Sequence, residues 1–507
     1  MKKALIGSAT VVALLIVTVI ALPTFVDVGR FKSTYLPWLE ETLQRRVDLG
    51  ETRLTLLPRP SIKVSQLKIS AGPSLRAQDF FTAQEVQLHF NLWPLLRGRF
   101  EITELMLEKP VLTLQTTSAR RSGYTDLAGK KSSTAESNSI RPAPKQPGSD
   151  AVGLIIPRRL RIKDGQLQII SEQRTPVRIH DIHVSMEEFS NERPFPYRAT
   201  FNYPGLKTVT LTGELDYQHE QTKLILHDNC LTVQNLTLPL EGSISNVASM
   251  PRFDLVLAGD DVDARALTQI FAVFGLAPTD TEISGPIGLR IAVNGPSNNL
   301  MTEIQGQFKN VELYGKRGIR GNLNGAILLR LNAAGGADLM KQLQGNGKLS
   351  AREGELTHVD LVKKVQRATG AIGFSEHQRR EATTFRTLDT EFTLSNGVVD
   401  FKRIYLVNPH LELNGGGTMT LGRQALNIGM DATLSPQASS KASRGRTSQL
   451  LKNPRGQLVV PLTVTGLAQN PAVDLDSGKL ARRGATGSME KRLGTFFRQL
   501  FRRDKAS

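Results

Sequence analysis

The sequence predicts a mostly β protein held to a membrane by one N-terminal helix, and three observations carry that reading. Aromatic residues are only 6% of the 507 positions, and Leu, Ile and Val lie in short runs between glycines and polar residues, the pattern of many short strands. Within those runs apolar and polar residues alternate, as a sheet with one buried face requires. Ahead of them, Ala4 to Leu22 is an uncharged run that reaches roughly 28 Å as a helix, close to the thickness of a bilayer's hydrocarbon core.

Lys2 and Lys3 precede this run, Leu14, Leu15 and Ile16 lie in its middle, and its exit reads VIALPTF. A cleaved leader has a shorter apolar region and a small-x-small cleavage site, so the expectation is an uncleaved signal anchor over 1–25. The two lysines stay cytoplasmic and the bulk of the chain lies on the far side. The net charge of +17, from 64 basic and 47 acidic residues, points to anionic partners. With the bulk across the membrane, these are lipid headgroups and not nucleic acid.

Residues 26–115 form the next region. VGRFKSTYLPWLEETLQRRVDLGE offers a short helix with Pro37 in its first turn and Leu39, Leu43 and Val47 on one face. RLTLLPRPSIKVSQLKIS then alternates in two strands (Leu54, Leu56; Ile62, Val64) separated by Pro58 and Pro60, and a turn-like LWPLLRGR follows between two more. Residues 116–152 are Ser, Lys, Pro and Gly with little to bury, a flexible loop. Alternating strands with glycine turns return in a middle region, 153–345, and a C-terminal module, 346–476. IAVNGPSNNLMTEIQG and LTVTGLAQNPAVDLDSG share a strand, a glycine, an Asn-containing turn and a returning strand, the hint of a repeat. Two short helices are expected, DARALTQIFAVFG with Leu267, Ile270, Phe271 and Phe274 on one face, and THVDLVKKVQRATG.

So many one-sided strands must hide their apolar faces, and two or three short helices cannot cover them all. Paired β-sandwiches would solve this, each sheet covering the other. A curved sheet whose concave apolar face holds lipid chains would solve it too.

LELNGGGTMTLGRQALNIGMDA, Leu411 to Ala432, is instructive. Gly417 and Gly422 have the spacing of a phosphate loop, but Arg423 and Gln424 stand where Lys and Ser or Thr are needed, and a strand follows instead of a helix. The segment reads instead as three adjoining strands with Gly415 to Gly417 at the first bend and Gly422 opening the second turn. Leu411 and Leu413, Met419 and Leu421, and Leu426, Ile428 and Met430 would then present one continuous apolar face.

RRVDLGETRLTLLPRPSIKVSQLKIS with NLWPLLRGRFEITELMLEKPVLTLQ, LRIKDGQLQII with IHDIHVSM, and Thr383 to Ile428 occur in the order and with the turn residues found in the AsmA family of bacterial envelope proteins, which this chain resembles. Residues 116–152 and the tail after 476 fall outside the likeness. The resemblance implies an elongated, curved antiparallel β-groove, anchored in the inner membrane of a Gram-negative cell with its bulk in the periplasm. It also implies a part in moving phospholipid towards the outer membrane or in outer-membrane assembly. Acyl chains would lie against the seven apolar residues just named, held by burial of apolar area without specific polar contacts.

Catalytic and metal chemistry is not expected, and no cofactor is implied. His180 and His183 form HDIH, but positions three apart on a regular strand point to opposite faces, so one ion could not meet both. Asp260, Asp261 and Asp263 precede a helix and suit its capping. Neither G-x-S-x-G nor H-E-x-x-H occurs, and the single cysteine, Cys230, reads as strand packing.

The tail, 477–507, is the strongest local signal outside the resemblance. Leu493, Phe496, Phe497, Leu500 and Phe501 follow helical spacing, with Arg492, Arg498, Arg502 and Arg503 among them, and Lys479 to Ser507 holds nine basic and two acidic residues. Such a helix suits either an anionic membrane surface or packing on the protein body or an envelope partner. If the surface is its partner, deleting residues 488–507 from a chain lacking the anchor lowers its co-sedimentation with anionic liposomes; unchanged binding assigns the helix to packing.

Overall fold

The computed structural model describes residues 36–37, 40, 45–56, 59–70, 79–97, 101–116, 157–171, 174–247, 250–273, 281–315, 318–332, 339–357, 360–361, 363, 382–442, 451–468 and 470–479. The expected anchor, with Lys2, Lys3, Leu14, Leu15 and Ile16, lies outside them, as do the 117–152 loop and the tail residues Arg492, Phe496, Phe497, Arg498, Phe501 and Arg502. Among the described residues no helix is long and apolar enough to cross a membrane. The chain is mostly β, as the alternation requires, and divides into two compact units: 1–256 with 294–300 and 334–336, and 257–293 with 301–333 and 337–507.

The first unit holds β1 (Val47–Asp48), β2 (Thr52–Thr55), β3 (Ser61–Ser70), β4 (Asp79–Phe90), α1 (Leu92–Leu96), β5 (Ile102–Glu108), β6 (Val111–Thr116), β7 (Arg159–Ser171), β8 (Arg174–Met186), β9 (Phe195–Asn202), β10 (Thr208–Gln218), β11 (Lys223–Val233) and β12 (Leu236–Ser245). β13 (Arg252–Asp263) passes into the second unit. The proline-separated pair is a β2–β3 hairpin as read from the sequence, with Leu54 opposite Ile62. Two details differ. Val47, expected on a helix face, begins β1 and pairs with Ile69, and LWPLL is one helical turn instead of a loop.

The expectation of a wholly antiparallel sheet is also corrected here. β5 and β6 run end to end along β4, broken at Lys109 (φ 46°), and both pair with β7 in parallel. A parallel return needs a long connection, and residues 117–158 separate β6 from β7 in the chain. One row of register partners crosses the unit as Val86, Leu107, Ile162, Val184, Ala199, Leu211, Leu231 and Leu238, every one of them apolar.

The second unit contains α2 (Ala264–Val273), β14 (Thr281–Ser284), β15 (Pro286–Pro296, whose end belongs to the first unit), β16 (Met301–Gly315), β17 (Gly318–Asn332), α3 (Leu339–Gln342), β18 (Gln344–Thr357), β19 (Ala382–Ser395), β20 (Val398–Val407), β21 (Leu411–Thr420), β22 (Ala425–Leu434), α4 (Pro436–Ala442), β23 (Val459–Leu467) and β24 (Asn470–Leu475). From β16 to β24 each strand pairs antiparallel with the next, one continuous ladder instead of the alternative of paired sandwiches. Asp263 caps α2, its carboxylate accepting from Arg265 N at 2.9 Å. Asp260 and Asp261 lie in β13. Asp360 caps the start of the second expected helix through Lys363 N at 2.8 Å; most of that helix lies outside the described residues.

Many glycines expected at turns lie inside strands. Gly415 to Gly417 fall within β21, which runs unbroken from Leu411 to Thr420, so the segment from Leu411 to Ala432 makes two strands and not three. Crowding explains their place: a Cβ at Gly415 would stand 2.2 Å from the Gly429 carbonyl oxygen, and at Gly417 (φ +151°) 2.3 Å from that of Asn427. A Gly417→Ala chain should therefore unfold about 1–3 kcal/mol more easily in a denaturant titration. Gly422→Ala, where nothing lies within 4 Å, should change stability by no more than about 0.5 kcal/mol.

Candidate functional site

In the second unit the alternation puts one apolar face on every strand from β16 to β24. Leu406 on β20 pairs with Leu413 on β21, Leu413 with Ala432 on β22, and Ala432 with Val460 on β23. The opposite face is polar and carries exposed ion pairs such as Lys348–Glu391 at 3.1 Å and Arg330–Glu303 at 2.9 Å.

The apolar face encloses a cavity of about 440 Å³, within the usual range for small-molecule sites of roughly 300–1,000 Å³. Leu313 and Ile319 line it from β16 and β17, Leu388, Phe401, Ile404 and Leu406 from β19 and β20, and Val464 and Pro471 from β23 and β24. Strands at both ends of the ladder meet the same hollow, so the sheet curls around it. A short helix closes one part of this face. Ser435 caps α4 through its hydroxyl to Ala438 N at 3.3 Å, Pro436 fills the first helical position, and Ala438 is fully buried against Leu411, Leu434 and Leu458.

Among the described residues no charged side chain lines the cavity, and the two hydroxyls that do are already engaged. Thr357 Oγ1 accepts from Gly318 N at 2.8 Å and donates to Gly318 O at 3.2 Å; Thr390 Oγ1 donates to Leu349 O at 3.4 Å. Such a lining offers neither a proton donor nor a nucleophile, and suits an occupant bound by apolar contact.

The seven residues singled out from the sequence fall into three places. Leu413, Leu426, Ile428 and Met430 line the cavity. Leu411, 1% exposed, is sealed beneath α4 in the packed core. Met419 and Leu421 pack on a separate cluster built on Leu343, Leu394 and Val399. On β20 the alternation hides the lining, because a bulge interrupts the strand: Phe401 pairs with Gly417 and Ile404 with Gly415, so residues three apart share a face.

A bulge also overturns the argument made on HDIH. His180 pairs with Asn202 and His183 with Thr200, two positions apart on β9, so both histidines share one face, with Asp181 (φ +52°) the extra residue between them. Asp181 holds His180 Nδ1 at 2.8 Å and accepts from Asn202 Nδ2 at 2.8 Å. The His180 hydrogen bond and then that of Asn202 hold its carboxyl below the usual carboxylate range. Among the described residues no three His, Cys, Asp or Glu are grouped to hold a metal ion. Cys230 is a half-buried free thiol on β11.

The AsmA family's sequence model matches residues 1–255, half of the chain. No curated protein and no solved structure matches it.

The packing here is testable through stability. Leu413→Ala should cost about 2–5 kcal/mol in denaturant unfolding. Thr390→Val, at a long hydrogen bond on a cavity wall, should stay within about 1 kcal/mol.

Proposed function

The chain belongs to the AsmA family, and on that premise we propose that it is a non-enzymatic envelope protein that holds phospholipid by its acyl chains in the cavity of the second unit. The observation that carries this reading is that the described lining is uncharged and its two hydroxyls are bonded to backbone, in a sheet that curls so that both ends of a nine-strand run face one hollow. Family membership supports an envelope-associated role in lipid transport or outer-membrane assembly. Burial of methylene groups contributes about 0.8 kcal/mol each, so a chain in this cavity needs no polar recognition, while a headgroup stays in water. The uncharged run from Ala4 to Leu22, behind Lys2 and Lys3, supports a single-pass inner-membrane anchor with a cytoplasmic N-terminus and a periplasmic bulk.

The alternative is a scaffold that acts on outer-membrane protein assembly through protein contacts. Dense packing of Leu411, Leu434, Ala438 and Leu458 beneath α4 favours it locally, since that part of the apolar face is already filled.

Mass spectrometry of lipid extracted from the purified chain separates the two. Near-stoichiometric phospholipid is expected from the wild-type chain, with a several-fold loss in Ile404→Trp, which fills the cavity, and none in Asp400→Asn on the polar face. A folded wild-type chain free of lipid assigns the function to the scaffold.

A further inference from the structure

One row of register partners crosses the second unit as Ile327, Gly347, Phe392, Phe401, Gly417 and Ile428. Its two phenylalanines are neighbours on β19 and β20, their ring centroids 6.2 Å apart and the planes inclined at 63°. Both are flanked by glycine. The Phe392 ring leans over Gly347, where a Cβ would stand 2.6 Å from Cζ, so that ring is fixed by close contact, while beside Phe401 the Cβ position of Gly417 is taken up by the backbone of Asn427 and Ile428.

On β19 and β20 this row divides two apolar regions, while on β22 the cavity continues past it to Leu426, the partner of Met419. On one side, further along the same strands, lie the cavity residues Thr390 and Leu388 on β19 and Ile404 and Leu406 on β20. On the other side lie Leu394 on β19 and Val399 on β20, buried in the separate cluster on which Met419 and Leu421 pack. Phe401 touches both regions: it lines the cavity and packs on that cluster.

We infer that the Phe392–Phe401 pair is the end wall of the cavity and sets the length of acyl chain it admits. This rests on the reading of the cavity as an acyl site. A chain lying along β20 beside Ile404 meets the two rings, and methylenes beyond them meet the packed side chains of Leu394 and Val399 instead of open cavity. With the Phe401 ring removed, the cavity joins the apolar cluster beyond and longer chains bury more of themselves.

The test uses the full-length chain in detergent and lysophosphatidylglycerols of stepped acyl length, with binding followed by calorimetry. Wild-type affinity should rise about fourfold per added methylene and then level at a cut-off. Phe401→Ala should carry the rise on to longer chains. Phe401→Leu, which keeps an apolar side chain in place, should move the cut-off in the same direction by less, and it decides the matter if the alanine variant does not fold. Met419→Trp should leave the wild-type cut-off where it is and restore it in the Phe401→Ala background. If both Phe401 variants fold, bind short chains as wild type does and keep the wild-type cut-off, the end wall is wrong while the acyl site stands. A wild-type chain that binds no lysolipid overturns both.

Discussion

Strand after strand of the second unit has one face that water will not accept, and among its described residues there are only short helices to cover nine such faces in succession. The sheet therefore has to supply its own cover. It does so by curling until Leu313 and Ile319 from one end of the run and Val464 and Pro471 from the other line a common hollow. The positions of α4, the polar outer ladder and the cavity all depend on this. Where a helix is available the face is packed shut, as beneath α4 around Leu411 and Ala438. Where none is, the face remains open enough to hold something else.

Curling needs a sheet with unequal rows, and the chain builds these by setting aromatic rings opposite glycines. Phe308 pairs with Gly325, Phe392 with Gly347, Phe385 with Gly354 and Phe401 with Gly417. At Gly347 and Gly354 the partner ring fills the space a Cβ would take, which restores packing that an isolated strand glycine would lose, while at Gly325 and Gly417 that space is taken by the backbone of the strand on the other side. Bulges supply the remaining bend. Asp164, Asp181, Asp228, Asn310 and Glu353 all take positive φ at points where the register skips a residue. At Asp228 the bulge is bolted in place: the neighbouring Asn229 is buried above Gly213, and its amide donates to the Glu214 and His227 carbonyls at 3.0 and 2.8 Å.

The distribution of polarity follows the same geometry. A chain with a net charge of +17 has no charged group among the described residues that line its cavity, because in these strands of the second unit the ion pairs lie on the opposite face, towards water. There ion pairs are exposed and individually weak, and they serve solubility more than cohesion. Separation of this kind suits an occupant with an apolar body and a hydrated end, one enclosed by the curl and the other left outside it.

Strand alternation in the sequence determined the mostly β class, the β2–β3 hairpin, the cap on α2 and the shared face of Leu413, Ile428 and Met430, since each depends on residues close in the chain. Both repeat-like segments were also legible locally: Gly295 and Gly466 each take positive φ before a turn that brings the glycine to an Asn carbonyl, Asn299 and Asn470. Parity was the limit. One extra residue in a strand reverses every side chain after it, and nothing in HDIH or FKRIYL shows that a bulge brings His180 onto the face of His183, or Phe401 onto that of Ile404. Nor could the sequence say that Gly415 to Gly417 continue a strand instead of bending it, because a glycine serves a turn or a close cross-strand approach equally well. Local pattern thus fixed which residues are apolar and which strands form; only the tertiary register, by placing bulges and glycines opposite particular neighbours, decided which of them enclose the cavity.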